Sequence, residues 1–401
     1  MKNLLVAQSG GPTAAINATL AGVIAQTMIQ DEIHTIYGGQ GGIEGILNER
    51  LLNLSNLIKN TVDLSRLIHT PAAALGSCRF KLTSPADDDT QYKHLIEIFR
   101  KYNIAYFIYI GGNDSMDTVD KLSQYCADHN IMEIQIIGAP KTIDNDLVGI
   151  DHCPGFPSAA RYIASTITEL ERDLSVYNTF GVTIVEIMGR NAGWLTASSA
   201  LARFEGRRGP DLICLCERPF SQEKFLNEIH ARSNEKRNLL IAVSEGLKDE
   251  SGHYLSASMS ANPVDGFGHQ EIAGTGTILK HLIRDRIGCK VRAVEFNLMQ
   301  RCASHLASPV DLEESRILGA KAVQCAVSKK NGIMVTLNRI QNRPYSIRFS
   351  NIPVKEVANR EKQVPQEWIS RSGYDITDEM MEYLIPIVAM EPSNHFICNP
   401  L

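Results

Sequence analysis

The chain alternates short, almost uninterrupted apolar runs with longer amphipathic stretches, and this alternation constrains its fold more than any other feature. The apolar runs are rich in β-branched residues and predict strands at residues 3–8, 33–37, 104–110, 134–138, 183–187, 212–216, 239–244 and 289–295. The stretches between them predict helices, among others at residues 17–30, 117–128, 158–175, 221–232 and 313–328. Continuous apolar strands separated by helices are typical of parallel sheets covered on both faces. The sequence therefore predicts an α/β protein with doubly wound, Rossmann-like domains and mostly parallel sheets.

The length of the chain favours two such domains. A chain of 401 residues exceeds the usual size of a single hydrophobic core. A loop at residues 151–157 offers a boundary, so we predict one domain at residues 1–153 and a second at 154–305. Residues 306–401 are predicted to form a C-terminal segment that packs across both domains.

Composition excludes several classes of function. The net charge is −5 and there is no long basic run, so nucleic acid is not expected as a partner. No apolar run is long enough to cross a bilayer, and the apolar stretch at residues 1–8 is too short for a signal peptide. We therefore expect a cytoplasmic protein that does not bind membranes. The nine cysteines are scattered and are expected to be reduced thiols; Cys214 and Cys216 suit one face of a strand better than a metal site.

Polar, glycine-containing motifs follow four of the predicted strands directly. They are Ser-Gly-Gly-Pro-Thr at 9–13, Gly-Gly-Asn-Asp-Ser at 111–115, Pro-Lys-Thr-Ile-Asp-Asn-Asp at 140–146 and Met-Gly-Arg-Asn-Ala-Gly at 188–193. Ligands of doubly wound sheets bind beyond the carboxyl ends of the strands. The four motifs are therefore the candidate binding and catalytic segments.

The first two motifs suit phosphate and metal binding. Gly10 and Gly11 would let backbone N–H groups approach an oxyanion, and a helix starting near Pro12 or Thr13 would add the positive end of its dipole. The alternative is a tight turn without a ligand. The chain has neither a P-loop nor a dinucleotide-binding fingerprint at this position. In the second motif, Asp114 could bind magnesium or repel an unwanted anion, and Ser115 would suit a helix N-cap.

The third motif is the most informative, because it places Lys141, Asp144 and Asp146 within six residues after an apolar strand. A carboxylate there can accept the proton of an attacking hydroxyl, and a lysine can neutralise charge on a transferring phosphoryl group. In the alternative interpretation, both aspartates merely cap turns. Further along, Arg190 suits bidentate phosphate recognition and Glu245 could accept hydrogen bonds from sugar hydroxyls.

Taken together, the motifs resemble those of the phosphofructokinase family, with Leu-Gly-Ser-Cys-Arg at 75–79 and Gln300-Arg301 completing the set. The order and spacing match over roughly the first 330 residues. The resemblance implies the phosphofructokinase fold and transfer of a phosphoryl group to the 1-hydroxyl of fructose 6-phosphate with Mg²⁺. It also implies a homodimer or homotetramer, with residues 1–153 binding the phosphoryl donor and 154–305 the sugar phosphate.

The resemblance also implies roles for individual residues. Asp144 would be the general base, Thr142 would contact the transferring phosphate, and Asp146 would help to order magnesium or the base. The implied substrate site consists of Thr142, Asp144, Met188, Gly189, Arg190, Glu245, Arg292 and Arg301. The implied donor site consists of Gly10, Gly11 and Arg79. The implied metal ligands are Asn113, Asp114 and Asp146.

Asp114 and Lys141 bear on the identity of the phosphoryl donor, because ATP-using members of the family typically have glycine at both positions. The pair resembles the pyrophosphate-dependent branch. Asp114 would stand where the α-phosphate of ATP needs room, and two unit charges about 4 Å apart repel by about 4 kcal/mol at an effective dielectric of 20. Lys141 would stabilise the leaving phosphate. The alternatives are an ATP-dependent 6-phosphofructokinase with Asp114 as a magnesium ligand, or a catalytically silent regulatory subunit.

Three positions depart from the family pattern. Asn113 occupies a place where most members carry a magnesium-binding aspartate, and its neutral amide is a weaker ligand. Gly181 stands where bacterial ATP enzymes place an arginine that reaches the neighbouring subunit's sugar site. Leu298 replaces a histidine or tyrosine used elsewhere to contact the substrate. These departures concern the grip on the sugar phosphate and the metal, and they leave the predicted reaction intact.

Overall fold

The computed structural model describes residues 2–256 and 274–390, and these residues form two compact units. The first unit contains residues 2–158 and 301–361, and the second contains residues 159–256, 274–300 and 362–390. Among the described residues, the chain thus leaves the first unit near residue 158 and returns to it near residue 301.

Strands and helices alternate along most of the described chain. The strands are β1 (Lys2–Gln8), β2 (Ile33–Gly39), β3 (Leu51–Asn53), β4 (Ile104–Gly111), β5 (Gln135–Pro140), β6 (Gly181–Ile187), β7 (Leu212–Cys214), β8 (Asn238–Ser244), β9 (Lys290–Glu295), β10 (Ile333–Asn342) and β11 (Tyr345–Pro353). The helices are α1 (Ile16–Thr27), α2 (Gly42–Leu47), α3 (Leu54–Leu57), α4 (Thr61–Ile68), α5 (Thr90–Lys101), α6 (Asn113–Asp128), α7 (Phe156–Leu174), α8 (Trp194–Ser198), α9 (Gln222–Ser233), α10 (Thr275–Ile287), α11 (Met299–Cys302), α12 (Pro309–Val327) and α13 (Asp378–Val388).

The first unit is built on a seven-stranded sheet in the order β11-β10-β5-β4-β1-β2-β3. Its central strands are parallel, and only the β2–β3 and β10–β11 pairs are antiparallel. Every residue of β4 is buried, as expected for a strand covered on both faces. The predicted α/β architecture with mostly parallel sheets is therefore confirmed.

Helices α1 and α12 of the first unit approach each other closely. A Cβ at Gly22 would overlap the carbonyl oxygen of Arg316, and a Cβ at Gly319 would overlap that of Thr19. Only glycine allows the two backbones to come this near. Helix α1, near the start of the chain, thus packs closely against α12, which lies about three quarters of the way along the chain.

The second unit contains a four-stranded sheet, ordered β7-β8-β6-β9, in which all pairs are parallel. The carboxyl ends of β6 and β8 lie side by side because Ile187 pairs with Ser244. The motifs that follow these two strands therefore start from neighbouring points of one sheet edge.

Two local predictions were wrong. Helix α1 begins at Ile16, one residue before the helix predicted at 17–30 but later than the predicted start near Pro12 or Thr13, because residues 12–15 form a loop in which buried Thr13 packs against Gly155. The N-cap of α6 is Gly112, so Ser115 lies in the first helical turn. Its hydroxyl occupies the space that a side chain at Gly111 would need.

The thiol state of the cysteines and the length of the helices both bear on predictions made from the sequence. The eight cysteines within the described residues are all free thiols, and Cys398 lies outside those residues. Burial raises the pKa of the Cys216 thiol well above its usual value, which keeps it protonated. None of the described helices combines the length and the apolar character that a membrane span requires.

Candidate active site

Lys141 is the centre of a charged cluster in the first unit. It follows β5, its side chain is only 3% exposed, and its Nζ donates a hydrogen bond of 2.7 Å to the carbonyl oxygen of Gly11. A Cβ at Gly10 would lie 3.2 Å from this Nζ, and Gly10 adopts a φ of +75°. Gly10 thus suits both the turn and the close approach of the lysine, and a Cβ at Gly11 would lie 3.0 Å from Nη1 of Arg301.

Four other charged side chains act on Lys141. The pKa of Lys141 is lowered to about 8, mainly by burial; Asp144 and Asp146 raise this pKa, and Arg301 and Arg79 lower it. Burial and the nearby Arg79 also lower the pKa of Arg301. Three cations face two carboxylates, and the excess positive charge suits a polyanionic ligand.

The loop that carries Asp144 has a defined backbone. The amide of Thr142 donates to the carbonyl oxygen of Pro154, and the amide of Asp144 donates to Oγ1 of Thr142 at 3.1 Å. Asn145 is fully buried, has a φ of +55°, and its Oδ1 accepts the amide of Cys153 at 2.9 Å. Asparagine tolerates this left-handed conformation better than most residues. Sequence reasoning missed Asn145, although an asparagine between two functional aspartates was the available signal.

A buried ionic network lies just beyond the partner of Asn145. The ring nitrogens of His152 contact Oδ2 of Asp151 at 2.8 Å and Oε2 of Glu314 at 2.7 Å. Burial alone would lower the pKa of His152, but the two carboxylates raise it above its usual value. Arg339 donates to Asp151, and the hydroxyl of Tyr345 donates to Glu314. The network fixes the segment adjacent to Cys153 with charge-assisted hydrogen bonds.

The start of α6 places the second motif. Asn113 holds a neighbouring loop, since its Nδ2 donates to the carbonyl oxygen of Arg360 and its Oδ1 accepts the amide of Asn359 at 2.7 Å. Asp114 lies in the first helical turn, where the helix dipole favours an acidic side chain, and its Oδ1 is 3.8 Å from Nζ of Lys81. The loop contact of Asn113 could not be found from its sequence position.

The second unit holds a separate cluster at the carboxyl ends of β6 and β8. Gly189 has a φ of +128°, and a Cβ there would overlap the carbonyl oxygen of Ala192, so this turn requires glycine. The amide of Gly189 donates to Oε1 of Glu245 at 3.3 Å, and the amide of Met188 donates to Oε1 of Gln300. Four predicted or motif residues therefore meet at one edge of this sheet.

Arg190 belongs to the same cluster, and its guanidinium group can still donate a hydrogen bond to a ligand. A Cβ at Gly246 would overlap its carbonyl oxygen, so the residue after Glu245 must be glycine. The Nε of Arg190 is buried and has no hydrogen-bond partner among the described residues. A buried guanidinium N–H without a partner is costly, and an anionic ligand would satisfy it.

Arg292 lies apart from this cluster. It is exposed and pairs in register with Thr183 of β6, five residues before Met188. At about 3.3 Å per residue this corresponds to about 16 Å along the sheet. Arg292 and Gly181 instead line a small cavity of about 40 Å³. The side chain of Leu298 is 54% exposed.

Comparison with known proteins identifies the family, since the phosphofructokinase family model matches residues 3–326. The chain belongs to the phosphofructokinase family. A pyrophosphate–fructose 6-phosphate 1-phosphotransferase of Halomonas elongata is 38% identical over 97% of this chain and 92% of its own length. The enzyme of the same name from Xanthomonas campestris pv. campestris is 37% identical with the same coverage. The crystal structure of a pyrophosphate-dependent phosphofructokinase from Nitrosospira multiformis superposes with a TM-score of 0.86 at 36% identity, covering 96% of this chain and 92% of that one.

The predicted family and the predicted phosphofructokinase fold are therefore confirmed. The roles assigned to single residues remain predictions, as do the predicted domain boundaries.

Proposed function

We propose that this phosphofructokinase transfers a phosphoryl group reversibly between pyrophosphate and the 1-hydroxyl of fructose 6-phosphate, giving fructose 1,6-bisphosphate and phosphate. The observation that carries the proposal is Lys141, a buried cation held against the Gly10–Gly11 turn with Asp144 beside it. Near-full-length relatives with the corresponding name support it. We further propose that the enzyme acts in the cytoplasm, in glycolysis and gluconeogenesis.

In the proposed reaction, Asp144 accepts the proton of the 1-hydroxyl as that oxygen attacks the phosphorus. Thr142 orients the loop by accepting the amide of Asp144 and contacts the phosphoryl group in transfer. Lys141 stabilises the charge on the departing phosphate, which is worth most in a site that excludes water. Met188, Gly189, Arg190 and Glu245 hold the sugar phosphate, while Gly10, Gly11 and Arg79 hold pyrophosphate.

We propose Mg²⁺ as the cofactor, held by Asp114 and Asp146 and by the phosphates. The described residues contain no group of three or more histidine, cysteine or acidic side chains placed to bind a metal. This fits magnesium, which is usually bound through one or two carboxylates plus substrate phosphates. The ion would neutralise charge on the phosphates during transfer. The side-chain amide of Asn113 is hydrogen-bonded to the loop at 359–360. We therefore propose that Asn113 is a secondary ligand of the magnesium ion, after Asp114 and Asp146.

A paired donor assay tests the proposed function. Purified enzyme is offered fructose 6-phosphate with either pyrophosphate or ATP, and strong activity with pyrophosphate is expected. Activity with ATP alone would refute the assignment of the donor. Turnover of neither donor, together with intact binding of fructose 6-phosphate, would favour a regulatory subunit.

A double variant tests why pyrophosphate is preferred. Asp114→Gly with Lys141→Gly removes the repulsion against a larger donor and the cation that stabilises the leaving phosphate. The ratio of kcat/KM for pyrophosphate to that for ATP is expected to fall by at least about tenfold. Asp128→Gly, at the other end of α6, is the matched control and should leave the ratio unchanged. An unchanged ratio in the double variant would contradict the two-residue account.

We also propose that the enzyme is a homodimer or homotetramer in which Arg292 serves the sugar-phosphate site of a second copy. The exposed Arg292 lies too far along its own sheet to join Met188 and Arg190. Mixing an Arg292→Ala variant with an Asp144→Asn variant tests this, because a mixed oligomer would contain one intact site. Recovery of activity on mixing supports the proposal, and a monomer by light scattering would refute it.

A further inference from the structure

A cavity of about 270 Å³ lies in the second unit, away from the residues to which we assign catalysis. It is bordered by the end of β7, the start of α9 and the segment around Tyr374. None of its lining residues belongs to the proposed substrate, donor or metal sites. The cavity therefore needs an explanation of its own.

The charged side chains that line the cavity are mostly cationic. Among the described residues, Arg218, Lys224 and Arg371 face it together with a single carboxylate, that of Glu250. Within residues 2–256 and 274–390, none of these four side chains takes part in an ion pair. An excess of unpaired positive charge in a concave site attracts anions.

Arg218 is the cation best placed to bind an anion directly. Its Nη2 reaches only a backbone oxygen, that of Gln366, at 3.5 Å. Its Nε is buried and has no hydrogen-bond partner in the described part of the chain. Leaving a guanidinium N–H desolvated and unbonded is unfavourable, and an anionic oxygen in the cavity would remove that cost.

The start of α9 adds a second source of positive potential. The N-cap residue of this 12-residue helix, Ser221, lines the cavity, and its side chain makes no capping hydrogen bond. The first N–H groups of the helix are thus not satisfied by a side-chain cap, and the helix dipole points its positive end toward this position.

The remaining walls indicate an organic ligand of limited size. Phe220, Leu247 and Tyr374 give the cavity apolar surface. Its volume lies below the range of about 300–1,000 Å³ that is usual for drug-sized ligands, so a nucleotide is too large to be enclosed. We propose that this cavity is a second binding site, separate from the active site, for a small organic phosphate monoester. Arg218 and Arg371 bind the phosphate, and the apolar wall contacts the carbon skeleton.

Glycerol 2-phosphate is a suitable probe, and its binding is measured by isothermal titration calorimetry with the full chain. An Arg190→Gln background disables the proposed sugar-phosphate site, and the probe is expected to bind this variant still. Adding Arg218→Gln and Arg371→Gln should weaken that binding by about tenfold or more, since each arginine supplies charge-assisted hydrogen bonds. Adding Arg284→Gln and Arg286→Gln instead, two exposed arginines of α10, should change it by less than about twofold.

A third variant works in the opposite direction and carries little risk to folding. Glu250 is exposed, and Glu250→Gln removes the carboxylate that the described lining residues contribute to the cavity wall. Binding of glycerol 2-phosphate should tighten by about twofold to fivefold. The proposal is overturned if the Arg190→Gln variant does not bind the probe. It is equally overturned if the Arg218→Gln/Arg371→Gln pair behaves like the α10 control, or if Glu250→Gln fails to tighten binding.

Discussion

Replacing Lys141 by methionine separates the stability of the first unit from its proposed chemistry. Lys141 is charged at neutral pH although its side chain is buried. Methionine has a side chain of similar length but no charge. We expect Lys141→Met to fold at least as well as the wild type and to lose turnover with pyrophosphate. Active sites commonly sacrifice stability for function in this way.

The magnitude follows from the pKa of Lys141, which falls from 10.5 to about 8 in the folded protein. Between these values only the unfolded state holds the proton, so the free energy of unfolding rises with pH there. At about 1.36 kcal/mol per pH unit, keeping the buried lysine charged costs about 3 kcal/mol at pH 7. About 2–3 kcal/mol of this cost is recovered between pH 7 and pH 10.

Urea unfolding followed by circular dichroism at pH 7 and pH 10 measures this effect. The wild type should gain about 2–3 kcal/mol of unfolding free energy relative to Lys141→Met over that interval. Lys59→Met, at an exposed position of the first unit, should show no such pH-dependent difference. If the gap between wild type and Lys141→Met is the same at both pH values, Lys141 is not a buried charge of the kind described.

The same lysine sets the expected pH dependence of donor use. As pH rises through about 8, the free enzyme loses the charge that attracts pyrophosphate, so KM for pyrophosphate should rise. Binding of the anion favours the protonated amine, so complex formation above pH 8 should take up a proton. Titration calorimetry in buffers of different ionisation enthalpy measures that uptake, and Lys141→Met should abolish it. In steady-state assays the variant should lose about 100- to 1,000-fold in kcat.

Three further predictions concern other parts of the site. Asp144→Asn should lower kcat by about 100- to 10,000-fold while fructose 6-phosphate still binds, as measured by steady-state kinetics and calorimetry; unchanged kcat would remove Asp144 as the base. His152→Gln leaves Glu314 buried without its cation, so urea unfolding at pH 5.5 should show a loss of about 3–5 kcal/mol. The folded pKa of His152 is raised, so its contribution to the free energy of unfolding is complete below its unfolded pKa and shrinks as the pH rises. A stability difference between wild type and His152→Gln that grows toward pH 9 would contradict this. Gly246→Ala forces a Cβ into the carbonyl oxygen of Arg190 and should raise KM for fructose 6-phosphate; an unchanged KM would show that the turn is not needed.

The strands that the sequence predicts best are those with continuous apolar runs. All eight predicted strands are present, with ends that differ by up to two residues. Such runs are easy to identify because both faces of the strand are buried. Helix α5 was missed, although its buried residues recur at helical spacing. Strand β10 was missed although residues 333–337, its first half, form a buried and largely apolar run; its second half is exposed and polar.

Some features of the candidate site depend on neighbouring residues in the sequence, and others depend on contacts between residues far apart in it. Motifs such as residues 140–146 are contiguous, and their chemistry can be predicted from residue type and spacing. The contact between Asn113 and Asn359 joins residues 246 apart, and that between His152 and Glu314 joins residues 162 apart. No periodicity or motif in a single sequence encodes such pairs. The supporting contacts of the site therefore had to come from the structure.

The fitted pair of helices α1 and α12 has a consequence for how this protein is made. On the ribosome, α1 emerges early, but its partner α12 is translated only after the whole strand-bearing part of the second unit, residues 181–295. At a translation rate of about 5–20 residues per second, the apolar face of α1 stays without its partner α12 for on the order of 15–60 s. The second unit's sheet, by contrast, is contiguous in sequence and complete before α12 appears. The nascent chain therefore exposes its first core longest, and that core is where we expect chaperones to bind.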